Sequence, residues 1–269
     1  MQARIRTLME QGVITRLLGW KRDPLTGEAL PFLFCSPHQL DELLPAGAPN
    51  LSKLLLSLPP ATGKTALLLK PCDGAGLALL LNEHRVKREE LYLIGLPCGG
   101  QPEKGVLPPR CQVCARTDWG VSCDETVALD VPPLPRQDGL AAVTELEQKT
   151  SEERFRFWQG ELSRCIRCNA CRNACPACSC VQCIFDNDRS GVSSKVSSDS
   201  FEDQLYHIIR TMHVTGRCVE CGECDRVCPQ HIPLYLIHRK MAKDLREWYD
   251  TPSLTAFAPQ DREPEGGSQ

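Results

Sequence analysis

CIRCNACRNACP, residues 165 to 176, and CVECGECDRVCP, residues 218 to 229, spell one pattern twice, C-x2-C-x2-C-x3-C-P. The first copy supplies Cys165, Cys168, Cys171, Cys175 and Pro176, and the second Cys218, Cys221, Cys224, Cys228 and Pro229. Three thiols at such short intervals wrap one iron–sulfur cubane, while the fourth, redirected beside proline, reaches another. The spacing therefore predicts one [4Fe-4S] cluster on Cys165, Cys168, Cys171 and Cys228, and a second on Cys218, Cys221, Cys224 and Cys175. Structural zinc also uses C-x2-C pairs, but a third cysteine at the same interval followed by proline suits a tetrahedral ion poorly.

The connection between the copies is long, 42 residues from Cys175 to Cys218. Phe201, Leu205, Ile208, Ile209 and Met212 recur there at helical spacing, with Ser200 placed to cap the start and Gly216 the end. Leu234, Ile237, Met241 and Leu245 form a second stripe after the second copy, and SEERFRFWQGELSRC before the first copy reads as a helix with its aromatics directed inward. Both stripes read as core packing. The region is expected to be an α-helical dicluster ferredoxin domain over residues 140–250.

The first motif runs on into CPACSCVQC, residues 175 to 183, which adds Cys178, Cys180 and Cys183. Three thiolates alone do not complete a cubane. They could recruit Cys35 or Cys123, take a ligand from a partner subunit, leave an iron open or replace Cys175. They could equally be free thiols shielded by burial, since exposed ones would oxidise. A further metal site at Cys178, Cys180 and Cys183 is the expectation.

In the N-terminal half, ALLLK at 66 to 70 and LYLIGL at 91 to 96 read as buried strands on either side of a helix, DGAGLALLLNEH at 73 to 84. Strand, helix and strand in that order make a right-handed parallel βαβ unit. The whole chain is thus read as α+β, an α/β domain over residues 1–135 followed by the helical one. Cys72 and Cys98 each follow a strand and fall at the carboxyl edge of the sheet, where open α/β folds build sites. Cys111 and Cys114 in RCQVC are placed to join them around a third [4Fe-4S] cluster; zinc and plain packing of the thiols are the competing uses. Cys123 is a substitute ligand.

Asp73 beside Cys72 could be a ligand, a second acceptor or, most commonly for such a residue, a helix cap. Asp73, Gly74 and Gly76 could also present backbone N–H groups at a helix start to a flavin phosphate, although tight packing of helix on sheet is the simpler account. PPATGKT, 59 to 65, ends like a phosphate-binding loop, but Leu58 stands where the first glycine of that motif belongs. It reads as a turn into the strand. His207 and His213 read as packing or surface residues.

Composition narrows the class. Seventeen cysteines in 269 residues, in a chain whose start has no apolar stretch of secretory type, point to metal or redox chemistry in the cytoplasm rather than to disulfides. A net charge of −3 offers no general field for nucleic acid, and no apolar run approaches the roughly 20 residues of a membrane span. Prolines in DVPPLPRQDG, 130 to 139, mark a linker, and TPSLTAFAPQDREPEGGSQ reads as a flexible or partner-bound tail over residues 251–269. No triad or paired carboxylates argue for hydrolysis, so no catalytic residue is assigned.

The string LLLKPCDGAGLALLLNEHRVKREELYLIGLPCGG resembles the beta subunits of deazaflavin-coenzyme-reducing hydrogenases and related formate dehydrogenases. With the dicluster motifs placed last, the order of parts is also similar to that in beta subunits of cytosolic sulfhydrogenases and anaerobic sulfite reductases. Similar proteins accompany electron-bifurcating complexes built on heterodisulfide-reductase-like subunits. The resemblance implies an iron–sulfur electron-transfer subunit of anaerobic metabolism. Its partners would be a flavoprotein and a hydrogenase, formate dehydrogenase or heterodisulfide-reductase-like module. A flavin-binding (FAD) catalytic subunit is the alternative, and a zinc-stabilised interaction module the third. No glycine-rich dinucleotide fingerprint accompanies it, which speaks against a nicotinamide site.

Overall fold

The computed structural model describes residues 1–134, 137–190 and 200–249, so the expected tail lies outside the described residues. The chain opens with α1 (Gln2–Glu10) and a hairpin, β1 (Arg16–Arg22) and β2 (Ala29–Phe34), followed by the short β3 (Leu43–Leu44). Then come β4 (Thr65–Leu69), α2 (Pro71–Asn82) and β5 (Leu91–Gly95), the expected βαβ unit with its strands parallel. α3 (Pro109–Gln112) and β6 (Glu125–Thr126) complete this part.

The strands form one mixed sheet in the order β2-β1-β4-β5-β6, with β3 paired to β1. β2 and β3 run antiparallel to β1, whereas β4, β5 and β6 follow it in parallel. β4 is central and wholly buried, which explains its unbroken apolar run. Leu67, Leu68 and Leu69 have no exposed surface, and burial of each stabilises by about 1.5–3 kcal/mol. α2 is longer by two residues at its start than the apolar run suggests, because Pro71 fits the first helical turn.

A second core lies in the helical part. α4 (Ala141–Glu147) and α5 (Ser151–Leu162) precede the first motif, whose loop ends in α6 (Ala170–Asn173); α7 (Ser200–Val214) precedes the second, which ends in α8 (Glu223–Arg226) and leads to α9 (Leu234–Tyr249). Thr150 caps α5 in a reciprocal box with Glu153. Gly216, at φ +76, follows the end of α7 as expected. The cap expected from Ser200 and the packing of Phe201 lie outside the described side chains.

The helix stripes are rotated from the expectation. On α7, Leu205, Ile208 and Met212 are 36, 50 and 60% exposed, while Tyr206, His207, Arg210 and Val214 are buried. On α9, Leu234 is buried, but Ile237, Met241 and Leu245 are only half-buried, and His238 and Arg239 point inward. Phe155 on α5 faces solvent. The inward faces meet cysteine-bearing loops rather than an apolar sheet, and thiol groups call for donors and cations there. Among the described residues no helix is long and apolar enough to cross a membrane.

Candidate metal centres

The two motif loops share one backbone. Arg167 and Glu220, each just before the second cysteine, have φ of +54 and +51, and Asn169 and Gly222, each just after it, have φ of +61 and +67. Left-handed residues at matched positions turn successive N–H groups toward the loop interior, the geometry of an anion nest. Each loop then closes in a single helical turn, α6 or α8, that carries the third cysteine.

The fourth cysteines cross over. Cys171 lies within electrostatic reach of Cys168 and of Cys228 from the other motif, and Cys165, Cys171 and Cys228 pack in the same core. Cys218, Cys221 and Cys224 in turn all lie within reach of Cys175. Burial pushes the Cys218 thiol up to about 12.

Arg210 of α7 sits between these two groups of thiols. Its guanidinium donates to the Cys171 carbonyl at 3.0 Å and meets His238 Nε2 at 2.8 Å, and it faces Cys175, Cys171, Cys224 and Cys178. Two buried polar atoms among the described residues lack a hydrogen-bond partner, Arg210 Nε and the Tyr206 hydroxyl. Tyr206 stands beside Cys171. The unpartnered Arg210 Nε beside buried thiols fits a group that brings its own acceptors, as inorganic sulfide does. His207 Nε2 lies 3.2 Å from Cys165 Sγ, so this histidine is more than packing.

Among the described residues no three Cys, His, Asp or Glu side chains close on a single point suited to one ion. Each thiolate of a cubane binds a different iron, so its ligands stand further apart than those of a tetrahedral zinc.

Cys72, Cys98, Cys111 and Cys114 line one cavity, together with Cys221 of the second motif. Cys72 sits in the first turn of α2 and Cys98 follows β5, so β4 and β5 deliver both to the carboxyl edge of the sheet. Cys98 is within reach of Cys72 and of Cys111, and Cys114 of Cys111. Burial pushes the Cys72 thiol well above its ordinary value. The floor of this cavity is pinned by Lys70, whose Nζ lies 2.7 Å from Asp73, 3.1 Å from the Pro49 carbonyl and over the Trp20 ring.

Asp73 is therefore occupied: it also accepts from the Leu51 and Lys70 N–H groups at 2.7 and 3.0 Å. Gly74 lies so close to the chain at Trp119 that a Cβ would meet the Trp119 carbonyl at 2.1 Å, and one on Gly76 would meet Ser52 Oγ at 2.2 Å. At Asp73, Gly74 and Gly76 these contacts agree with the simpler account, helix packed closely against its neighbours, because the groups are engaged inside the fold. Cys123 packs against Gly95 in the main core and lines none of the cysteine cavities described here. Cys35 is exposed beyond β2. PPATGKT forms a loop before β4.

Cys178, Cys180 and Cys183 line a separate cleft with Arg172, Arg210 and Arg217. The Cys178 thiol lies beside Cys175 and holds the Cys175 thiol below its ordinary value. Next to this cleft the two parts of the molecule are clamped: Glu83 at the end of α2 takes two hydrogen bonds from Arg217, at 2.5 and 2.7 Å, and one from Ser179 at 2.9 Å. Sequence reasoning missed Arg210, Tyr206 and this clamp, and it read His207 only as a packing or surface residue. The only sequence signal for Arg210 was a cation set among apolar neighbours in IIRTM.

Residues 161–232 match the 4Fe-4S dicluster domain family. A relative described as F420-dependent formate dehydrogenase subunit beta, from Methanocaldococcus jannaschii, is 22% identical over 90% of this chain and 88% of its own length. An α+β chain with a C-terminal dicluster domain, this protein is thus similar over nearly all its length to an iron–sulfur beta subunit of the F420-dependent formate dehydrogenase type.

Proposed function

We propose that this chain is an electron-transfer subunit of a cytoplasmic, multisubunit oxidoreductase of anaerobic metabolism. The observation that carries the reading is the crossing of the fourth cysteines. It supports one [4Fe-4S] cluster on Cys165, Cys168, Cys171 and Cys228 and another on Cys218, Cys221, Cys224 and Cys175. Cys72, Cys98, Cys111 and Cys114 are assigned to a third. The cavity they share with Cys221 supports a third group beside the second, and with the first it would form a row across both parts of the molecule. The two parts are proposed as domains over residues 1–135 and 140–250.

Such clusters carry one electron at a time. The chain's own residues would set how readily: Arg210 by its charge, Tyr206 and the N–H groups of the motif loops by hydrogen bonds to sulfur, and burial by excluding water. The partners would be a flavoprotein at one end of the row and a hydrogenase, formate dehydrogenase or heterodisulfide-reductase-like module at the other.

A second reading, a flavin-binding catalytic subunit, is favoured by one observation. An open cleft beside Cys114 is lined by Arg110, Arg116, Arg239 and Arg246, a setting suited to a phosphate-bearing flavin. Iron, sulfide, zinc and flavin assayed on one anaerobically purified sample separate the readings. About twelve irons and twelve sulfides without flavin is the result expected for the relay. Stoichiometric flavin moves the assignment to the second reading, and zinc without sulfide refutes both.

A further inference from the structure

The stretch CPACSCVQC is absorbed by neither motif beyond Cys175. Its remaining three thiols nonetheless face one cleft, formed where the loop folds back against α7 and the end of α2. Cys178 and Cys183 are half-buried, and Cys180 and Val181 form the exposed lip.

The lining around them is cationic. Arg172 lies beside Cys183, Arg217 lies within reach of Cys180 and Cys178, and Arg210 faces Cys178. Lys53, reaching across from the sheet-bearing part, donates to the Cys178 carbonyl and lies within reach of Cys178 and Cys180. Every thiol thus has a cation beside it. Asp186 is the one carboxylate among the lining residues, and Arg172 is paired with it at 2.9 Å. His213, on the last turn of α7, lines the same cleft.

Three thiols surrounded by fixed positive charge make a poor pocket for a bare cation, because the arginines and lysine repel it. They make a good one for a group that is itself anionic once three thiolates have bound it. A cluster of iron and sulfide meets that requirement.

Building on the relay proposed above, we propose that Cys178, Cys180 and Cys183 hold an additional four-iron cluster, with His213 as the ligand of its fourth iron. Cys178 lies beside Cys175, so this group stands next to the one assigned to Cys218, Cys221, Cys224 and Cys175. Since its lip is open at Cys180 and Val181, it gives the row a branch that ends at the surface. A relay so built has an outlet besides the two ends, suited to a second one-electron partner.

The test is the full-length chain, reconstituted anaerobically with ferric iron and sulfide, compared with the C180S/C183S variant. Neither residue belongs to the eight-cysteine set. The expected result is about four fewer irons and four fewer sulfides per chain in the variant, with the EPR signals of the two motif clusters unchanged. Equal iron in both proteins overturns the proposal, as does stoichiometric zinc in the wild type that the variant lacks. If the double variant does not fold, His213→Ala serves instead: it is expected to lose about one iron and to give a three-iron EPR signal on oxidation. Iron content and spectra like those of wild type would overturn the His213 assignment. A wild-type chain that takes up no iron and sulfide would instead overturn the relay itself.

Discussion

Replacing Arg210 by methionine removes the positive charge set between the two groups of motif thiols while keeping a long apolar stem in its place. The guanidinium is 3.0 Å from the Cys171 carbonyl and faces thiols of both motifs. Taking about 7 Å to the centre of a cluster and an effective dielectric of about 20, a unit charge contributes about 2.4 kcal/mol. For a one-electron couple, at about 59 mV per tenfold change, this is about 100 mV. A positive charge favours the reduced cluster, so the Arg210→Met midpoints should fall by about that amount. Redox titration followed by EPR reads the shift directly. Loss of the donors to His238 and to Cys171 also disturbs packing, so Arg210→Lys is the necessary companion. It keeps the charge and should recover most of the potential. A methionine variant shifted by less than about 20 mV, or a lysine variant shifted as far as the methionine one, would refute the electrostatic reasoning.

The other perturbations test the scaffold. Asp73→Ala leaves the Lys70 ammonium buried without its carboxylate and should destabilise by about 3–5 kcal/mol, measured by chemical unfolding; K70M/D73L should recover much of that loss, and its failure to do so would show that the hydrogen bonds to Leu51 and Lys70 matter more than the charge. Gly74→Ala forces a Cβ against the Trp119 carbonyl and should cost about 1–3 kcal/mol, with loss of iron from the Cys72 site; a wild-type melting curve and metal content would count against the packing role. Glu83→Gln weakens the clamp to Arg217 and should cost about 1–2 kcal/mol, less than a fully buried pair because both groups are partly exposed. Burial raises the Glu83 carboxyl, but the Arg217 and Ser179 hydrogen bonds outweigh it and hold the group below the usual 4.5. Its contribution is therefore complete above that value and lost as pH falls through the lower folded one, so the gap between wild type and variant should narrow on acidification. A gap that is constant from pH 7 to pH 4 would contradict this.

What could be read from the residues follows from which rules were local. β4 and β5 were legible because a fully buried parallel strand needs an unbroken apolar run, and TALLL and LYLIG supply one. The duplicated motif was legible because a cubane fixes its ligand spacing along the chain. The facing of α7 was not. A stripe of Leu205, Ile208 and Met212 normally seeks a core, but here the opposite face carries the donors that buried sulfur requires, and the apolar stripe is left outside. Nor could the sequence show that Lys53 and Glu83 meet the CPACSCVQC loop, since those contacts join positions about a hundred residues apart.

The exchange of fourth cysteines has a consequence for assembly. With the ligand sets proposed above, neither motif owns a complete one, so a newly made first motif would have nowhere to finish its cluster until the second has been synthesised and folded against it. Loading one site draws both loops together and prepares the other, which makes cluster insertion a concerted event rather than two independent ones. By the same logic damage would spread: under the proposed assignment, oxidation of one cube would release a strand of the other's harness, and the pair would be built, and lost, as a unit.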